Sequence, residues 1–302
     1  MKLVFRTLLA VGIAASPCAL AQPDPKFEMG KRDDVKEVKA VEWTAKGEAG
    51  LVATTGNSQT TTITAGANVT RKTPTTKLDG VVTGTFARAT TRIASDANGD
   101  GAISADELSE RTATSAENAA TKLRFDRYVS ELDSFYVAAL AAIDRPAGKQ
   151  FQGGGQAGYS RSLYKTADHQ ALAELGYDLS YLRLTAGDST TIHSVRGFVG
   201  YKGKIRGETA LEASVEGLFN ANTLHFGDRK ASPFQDARIN AMIGVTTSLS
   251  SKLSLSASFL AKLDNFPAPL AKIGDLPFAA GFEPAADKLD TITKVSLIIK
   301  FL

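Results

Sequence analysis

The residues between 237 and 264 alternate apolar and polar side chains along two long arms. The apolar set takes the odd positions: Ala237, Ile239, Ala241, Ile243, Val245, Leu249, Leu253, Leu255, Ala257, Phe259, Ala261 and Leu263. A period of two gathers one class of side chain on one face only if the backbone is extended. The pattern therefore predicts a β-hairpin that turns at Ser250-Ser251. Each arm is about twice the 5–6 residues of an ordinary strand, a length that crosses a bilayer at a tilt.

The same alternation predicts twelve strands. They are expected at 43–55, 60–73, 77–93, 118–130, 133–145, 151–164, 168–184, 191–204, 208–220, 237–249, 252–264 and 289–302. Single-chain bacterial outer-membrane barrels have an even number of strands. The fold class predicted for 43–302 is therefore an all-β, transmembrane antiparallel β-barrel with both termini on the periplasmic side.

The connections between these strands agree with such a topology. The long connections, 94–117, 221–236 and 265–288, are the third, ninth and eleventh, and all three are extracellular if the first strand runs outward. The outward aromatic residues then form two levels, as an interface selects. The periplasmic level contains Trp43, Phe135, Tyr201 and Phe301, and the outer level contains Phe151, Tyr181, Phe219 and Phe259.

The first 21 residues are typical of a secretory signal peptide. Lys2 and Arg6 precede an apolar run, and Ala19-Leu20-Ala21 supplies a small-residue cleavage site. Cleavage there removes Cys18, the only cysteine, so the mature chain has no disulfide. Residues 22–42 are charged and mixed, and are expected to form a periplasmic tail. The predicted location is the outer membrane of a Gram-negative bacterium.

Charge and hydropathy exclude two other classes of protein. Two of the 35 Lys and Arg residues lie in the signal peptide, so the mature chain is nearly balanced against its 32 Asp and Glu residues. That balance predicts no nucleic-acid partner. The mature chain also contains no run of about 18 apolar residues, which excludes transmembrane helices. The expected partners are outer-membrane lipid, calcium, and small solutes or ions.

Alternation alone does not decide which face points inward. In a soluble all-β protein the apolar face would fill the interior, but this face is rich in Ala and Gly, which fill a twelve-stranded interior poorly. The opposite face carries charges of both signs that suit a wet lumen, including Lys122, Arg124, Glu174, Asp178, Arg196 and Glu216. We therefore expect the apolar face to contact lipid.

The beginning of the predicted barrel resembles a known family. Trp43, Lys46-Gly47-Glu48-Ala49-Gly50-Leu51, Thr55-Gly56-Asn57-Ser58 and the following TTTITAGANVTRKT are similar to the start of the salt-induced outer-membrane proteins, a domain of unknown function. The resemblance covers about 43–302 and implies an outer-membrane β-barrel with no established chemistry. Two features depart from it: an inserted acidic loop, and the ending Phe301-Leu302 in place of a terminal aromatic residue.

The inserted loop, 96–107, matches the twelve-residue EF-hand pattern D-x-N-x-D-G-x-I-S-x-x-E. The predicted Ca²⁺ ligands are Asp96, Asn98, Asp100, Ala102 through its carbonyl, Ser104 and Glu107. Ser104 and Glu107 also form a capping box, which predicts a helix from Ala105 to about Ala116. The alternative is a polar surface turn without calcium, because the loop is single and the segment before it is short.

The sequence does not favour an enzyme. His169, His193 and His225 lie on separate strands or loops, without metal-site spacing. The strongest enzymatic alternative is an outer-membrane phospholipase built on His193, but the adjacent Ser194 belongs to the opposite face. Glu212 and Glu216 share a face at a separation of about 13 Å, which fits lumen charges better than a catalytic pair.

Two functional classes remain open. The lumen charges favour a porin-like pore for solutes or ions, and the long outer loops favour a structural or surface-interaction barrel. The sequence names no solute and no oligomeric state. It also leaves open whether the connection 265–288 folds inward as a plug.

Overall fold

The computed structural model describes residues 41–54, 58–94, 108–145, 148–185, 187–227, 229–269, 285 and 288–301. The predicted signal peptide and nearly all of the predicted tail lie outside these residues. Within the described part, no helix is long and apolar enough to span a membrane. All regular structure described there is β.

Twelve long strands form one sheet. They are β1 Glu42–Thr54, β2 Ser58–Lys72, β3 Thr76–Ala94, β4 Leu108–Tyr128, β5 Asp133–Asp144, β6 Lys149–Lys165, β7 His169–Leu184, β8 Ser189–Arg206, β9 Thr209–Asn220, β12 Ala237–Ser248, β13 Leu253–Asp264 and β14 Leu289–Lys300. Two short strands, β10 Leu224–Phe226 and β11 Arg229–Ala231, pair only with each other.

The long strands close into an antiparallel barrel in the order β1-β14-β13-β12-β9-β8-β7-β6-β5-β4-β3-β2. This confirms the predicted twelve-strand barrel. The closing seam is short, because β1 and β14 are in register only through Lys46–Ala49 and Leu297–Lys300, four pairs. By comparison, β1 pairs with β2 along its whole length.

The predicted helix from Ala105 to Ala116 is wrong where it can be observed. Residues 108–116 are strand, and their backbone pairs with β3 from Ala87 to Ala94. The Thr90 and Thr112 hydroxyls hydrogen-bond across this pair at 2.8 Å. Continued pairing satisfies the backbone in register with β3, and β-branched threonines fit a pleated surface well, so the sheet outcompetes the local capping signal.

The apolar face of the barrel points outward. Leu175 and Val295 are each 64% exposed, whereas the inward Glu174 and Arg196 are 5% and 1% exposed. A soluble protein with an apolar interior is therefore excluded, and the architecture is of the outer-membrane type. The predicted girdle aromatics are exposed or half-exposed on this outer face.

The two ends of the barrel differ. We call the end at which β1 begins and β14 ends the terminal end, and the opposite end the loop end. The connections at the terminal end are short turns, such as those around Gly207 and Ser250. The three long connections all leave from the loop end. The β10–β11 ribbon, which the sequence did not predict, lies in the connection between β9 and β12.

Candidate functional site in the lumen

An ion-pair cluster occupies the lumen beside β4 to β9. Glu174 of β7 receives hydrogen bonds from two guanidiniums: Arg124 Nη2 lies 2.8 Å from its Oε1, and Arg196 Nη1 lies 2.7 Å from its Oε2. Arg124 also pairs with Asp126 at 2.7 Å, and Arg196 Nε donates to Glu216 Oε1 at 2.6 Å. All of these residues occupy positions on β4, β7, β8 and β9 whose side chains face the lumen, because side chains alternate between the two faces of a strand. The strands therefore bring them together inside the barrel.

Tyr136 of β5 completes this cluster. The Arg124 guanidinium lies 4.1 Å from the centre of its ring, and Arg196 Nη1 donates to its hydroxyl at 2.8 Å. Gly158 and Gly176 make room for this hydroxyl, because a Cβ at either position would lie 2.7 or 2.5 Å from it. We define the ion-pair cluster as Arg124, Asp126, Tyr136, Glu174, Arg196 and Glu216.

The opposite wall of the lumen carries small side chains. We define the small-residue wall as the inward residues Gly50, Gly66, Gly244, Ser254, Ser256, Ser258 and Ser296, which belong to β1, β2, β12, β13 and β14. Five of these seven residues, Gly66, Gly244, Ser254, Ser256 and Ser258, line a cavity of about 370 Å³ together with charged residues such as Lys46, Glu48 and Glu212. We call it the terminal-side chamber. The chamber exists because the Gly and Ser side chains of this wall are too small to fill the lumen.

A second cavity, of about 100 Å³, lies nearer the loop end. Its charged lining residues are Lys122, Asp178, Arg196, Glu216 and Lys262. We call it the loop-side chamber. Met242 of β12 lines both cavities, so the two chambers, each with charged residues in its lining, adjoin at this side chain.

The mouth at the loop end is covered by the β10–β11 ribbon. Leu224 and Phe226 of β10 are buried, and Phe226 packs against the inward Leu182 and Leu184 of β7. Phe266, which follows β13, stacks on Phe226 with ring centroids 5.2 Å apart. We define the mouth cap as residues 224–227 and 229–231 with Phe266–Ala268. The described beginning of the connection 265–288 thus packs at the mouth.

Asp236 anchors the end of the mouth cap. Its backbone N–H donates to Asn220 Oδ1 at 2.9 Å, and Asn220 Nδ2 donates to Ser232 O at 3.0 Å. Burial raises the pKa of the Asp236 carboxyl to about 6; Asp264 adds to the rise, and Arg238 opposes it. The carboxyl therefore titrates close to neutral pH.

The predicted calcium ligands, Asp96 to Glu107, lie outside the described residues. Their flanks are described: Ala94 and Leu108 are paired in register, so the loop joins two strands rather than the two helices of an EF-hand. Among the described residues, no three His, Cys, Asp or Glu side chains are grouped to hold a metal ion.

The alternative built on His193 does not assemble a nucleophile and a base. His193 hydrogen-bonds to the Tyr177 hydroxyl on the outer face. Ser194 is fully buried on the lumen side, where its hydroxyl accepts a hydrogen bond from Arg238 at 2.8 Å. Glu216 belongs to the ion-pair cluster and Glu212 to the terminal-side chamber, as expected for lumen charges.

A family model described as "Protein of unknown function, DUF481" matches residues 47–301. The chain therefore belongs to this family, whose description mentions neither a salt response nor a calcium loop. No curated protein matches the chain.

Several solved outer-membrane proteins are distant structural matches to the chain. The NanC porin is 7% identical, with a TM-score of 0.44, and the match covers 86% of this chain and 100% of the porin. The translocator domain of the autotransporter NalP from Neisseria meningitidis is 12% identical, with a TM-score of 0.39 and coverages of 89% and 91%. OmpT of Vibrio cholerae is 10% identical, with a TM-score of 0.36 and coverages of 87% and 99%. Similarities this distant assign no function.

Proposed function

We propose that the chain is an outer-membrane barrel that conducts small hydrophilic solutes and ions through a narrow lumen. The observation that carries the proposal is the pair of adjoining chambers, both lined by charged residues, inside a barrel whose outer face is apolar. The signal-peptide pattern supports the location, and the long connections at the loop end then face the outside of the cell.

The two walls of the lumen suit a narrow pore. The ion-pair cluster fixes charges of both signs in place, so neither cations nor anions are excluded by sign alone. The small-residue wall supplies the free cross-section beside this cluster. The mouth cap covers the path at the loop end, and conduction requires it to move aside.

Planar-bilayer recording of the purified barrel tests this proposal. We expect defined ion-conducting steps from the wild type. Ser256→Trp, which places a large ring on the small-residue wall, should lower the step size several-fold. Ala257→Trp adds the same ring one residue along β13, where the side chain faces outward, and should leave the step size unchanged.

One observation favours the second candidate, a sealed structural barrel. The cluster residues Arg124, Asp126, Glu174 and Arg196 are each at most 5% exposed, and such packing would suit a permanently closed lumen. A wild type that inserts into the bilayer without conducting, even after deletion of residues 224–231, would establish this candidate and contradict the pore.

We also propose that the loop 96–107 binds Ca²⁺ outside the cell. Its support is the complete ligand pattern, Asp96, Asn98, Asp100, Ala102, Ser104 and Glu107, at the loop end of the barrel. Single extracellular modules bind at about 0.1–1 mM, so calorimetry at millimolar calcium should detect binding. Asp100→Ala with Glu107→Gln should abolish it. Equal heats from both proteins would identify a polar turn.

A further inference from the structure

The loop-side chamber contains a buried carboxylate that is held only by neutral groups. Asp178 of β7 is 3% exposed, and its carboxylate accepts hydrogen bonds from Gln156 Nε2 at 3.0 Å and from Ser180 Oγ at 2.8 Å. Within the described part of the chain, this carboxylate forms no ion pair. A buried carboxylate without a charged partner retains a strong attraction for a cation.

Gln156 of β6 adds an unpartnered acceptor beside this carboxylate. It lies directly opposite Asp178 in the pairing of β6 with β7, and its amide nitrogen faces the carboxylate, because only that nitrogen can donate. The amide oxygen, Oε1, is then buried with no hydrogen-bond partner among the described residues. Gln156 is 6% exposed, and both residues line the chamber. We call Asp178 and Gln156 the acceptor corner.

The basic residues of the same lining are engaged by other carboxylates. Arg196 Nε donates to Glu216 Oε1 at 2.6 Å, and Glu216 also acts electrostatically on Lys122. Lys262 lies directly opposite Asp290 in the pairing of β13 with β14. These three cations therefore have carboxylates outside the acceptor corner, and the charge of the corner remains available to a ligand.

The groups at the acceptor corner favour one kind of cation. An ammonium group carries several N–H donors, so it can donate to the Asp178 carboxylate and to Gln156 Oε1 at the same time. A potassium ion instead needs a shell of oxygen ligands in place of its water, and two side chains supply only part of one. The volume of about 100 Å³ limits the ligand to a few heavy atoms.

We propose that the loop-side chamber binds a small primary ammonium ion through the acceptor corner. The N–H groups donate to Asp178 and to Gln156 Oε1. Leu218 and Leu260 belong to the same lining, and a short alkyl group can pack against them. The inference rests on the proposed pore function for the route by which the ion arrives, and it assigns that pore a preferred class of solute.

Equilibrium dialysis of labelled methylammonium against the detergent-solubilised barrel tests the site without requiring conduction. At low ionic strength we expect saturable binding that ammonium displaces. Potassium has the charge and nearly the size of ammonium but no N–H donors, so it should displace methylammonium only at several-fold higher concentration. Equal displacement by the two ions would overturn the assignment to an ammonium group.

Three variants locate the binding. Asp178→Asn removes the negative charge, keeps the shape of the side chain, and should weaken methylammonium binding many-fold. Gln156→Met removes the acceptor oxygen from a chain of similar length and should weaken binding by a smaller factor. Glu117→Gln, which removes a half-exposed carboxylate that pairs with Arg145, is the matched control and should bind as the wild type does.

The gel shift between folded and heated barrel identifies the variants that fold. Wild-type binding in a folded Asp178→Asn, or an equal loss of binding in Glu117→Gln, would overturn the site. If Asp178→Asn does not fold, Gln156→Met decides, and wild-type binding in that variant would overturn the site as well.

Bilayer recording separates this inference from the pore. With ammonium chloride on one side and potassium chloride on the other, the wild type should show a reversal potential of the sign that ammonium permeation produces. Asp178→Asn should bring this potential toward zero, and a wild-type potential of zero would overturn the preferred solute. If methylammonium is bound but no ion is conducted, the pore fails and the site stands. If ions are conducted and methylammonium is not bound, the pore stands and the site fails.

Discussion

The two walls of the lumen differ in the size and packing of their inward side chains. Beside β4 to β9, long side chains such as Arg124 and Tyr136 meet across the interior, and each polar group of Glu174 has a partner. Along β12 to β2, inward positions such as Ser256 and Gly66 carry almost no side chain, and the space remains open. One wall fixes charges in place, and the other sets the free cross-section.

Substitutions on the two walls should have different effects. Buried ionic groups depend on each other, so losing one leaves its partners unpaired. An inward serine beside an open chamber has few contacts to lose. Stability should therefore be concentrated in the first wall, and conductance should be controlled mainly by the second.

The largest expected effect is that of Glu174→Ala. This change leaves the Arg124 and Arg196 guanidiniums short of a buried partner, which typically costs about 3–5 kcal/mol. The unfolding midpoint in urea, followed by the gel shift between folded and heated barrel, should fall accordingly. Glu117→Gln breaks a half-exposed pair with Arg145 and should cost at most about 1 kcal/mol. Similar midpoints in the two variants would contradict the comparison.

A smaller effect is expected from Gly176→Ala. The added methyl would lie 2.5 Å from the Tyr136 hydroxyl and 2.7 Å from the Ala157 carbonyl oxygen. Overpacking of this kind costs about 1–3 kcal/mol. The control is Gly197→Ala, where no heavy atom lies within 4 Å of the new Cβ. The same unfolding assay should separate the two, and an equal shift would show that Tyr136 is free to move.

The smallest effect concerns pH at the junction of the first wall and the mouth cap. The folded pKa of Asp236, about 6, exceeds the usual value of about 3.9 for Asp. The folded state therefore binds the proton more tightly, and the mouth cap loses stability as pH rises from about 4 to 6. Arg238, Asp264 and Lys149 are the charges that act on this carboxyl.

Hydrogen exchange of residues 224–231, corrected for intrinsic rates, should show weaker protection at pH 7 than at pH 4.5. Asp236→Asn cannot titrate and should remove the difference, whereas Asp133→Asn, at the terminal end, should retain it. A pH difference of equal size in Asp236→Asn would assign the effect to another group.

The strands and their faces could be predicted from the sequence because a period of two is a local property. All twelve barrel strands, and the division of their side chains between two faces, follow from this period. The choice of the outward face needed two further observations, the small size of the apolar residues and the charges of both signs on the opposite face. The exception was the start of β4, where the Ser104–Glu107 capping signal was local as well. The competing interaction is pairing with β3. It joins residues that are far apart in the sequence, so a short stretch of sequence does not reveal it.

The ion-pair cluster could be predicted only in part. Parity identifies Arg124, Glu174 and Arg196 as inward, but their heights in the barrel depend on the register of every intervening strand. Tyr136 was missed because its strand is apolar on both faces. The inward glycines at 158 and 176, on the two strands that follow, were the available sign that a large side chain needed room. The ribbon strands are too short to show any period.

The four-pair seam between β1 and β14 implies an order of assembly. Every other pairing in the barrel joins strands that follow one another along the chain, with only the ribbon intervening between β9 and β12. These pairings can form one hairpin after another between neighbouring parts of the chain. The seam must instead bring together the first and last strands of the barrel, which costs more loop-closure entropy. We therefore expect the seam to form last, when the two free edges of the twelve-strand sheet meet in the bilayer. With only four residue pairs it is also the pairing that separates with the loss of the fewest hydrogen bonds.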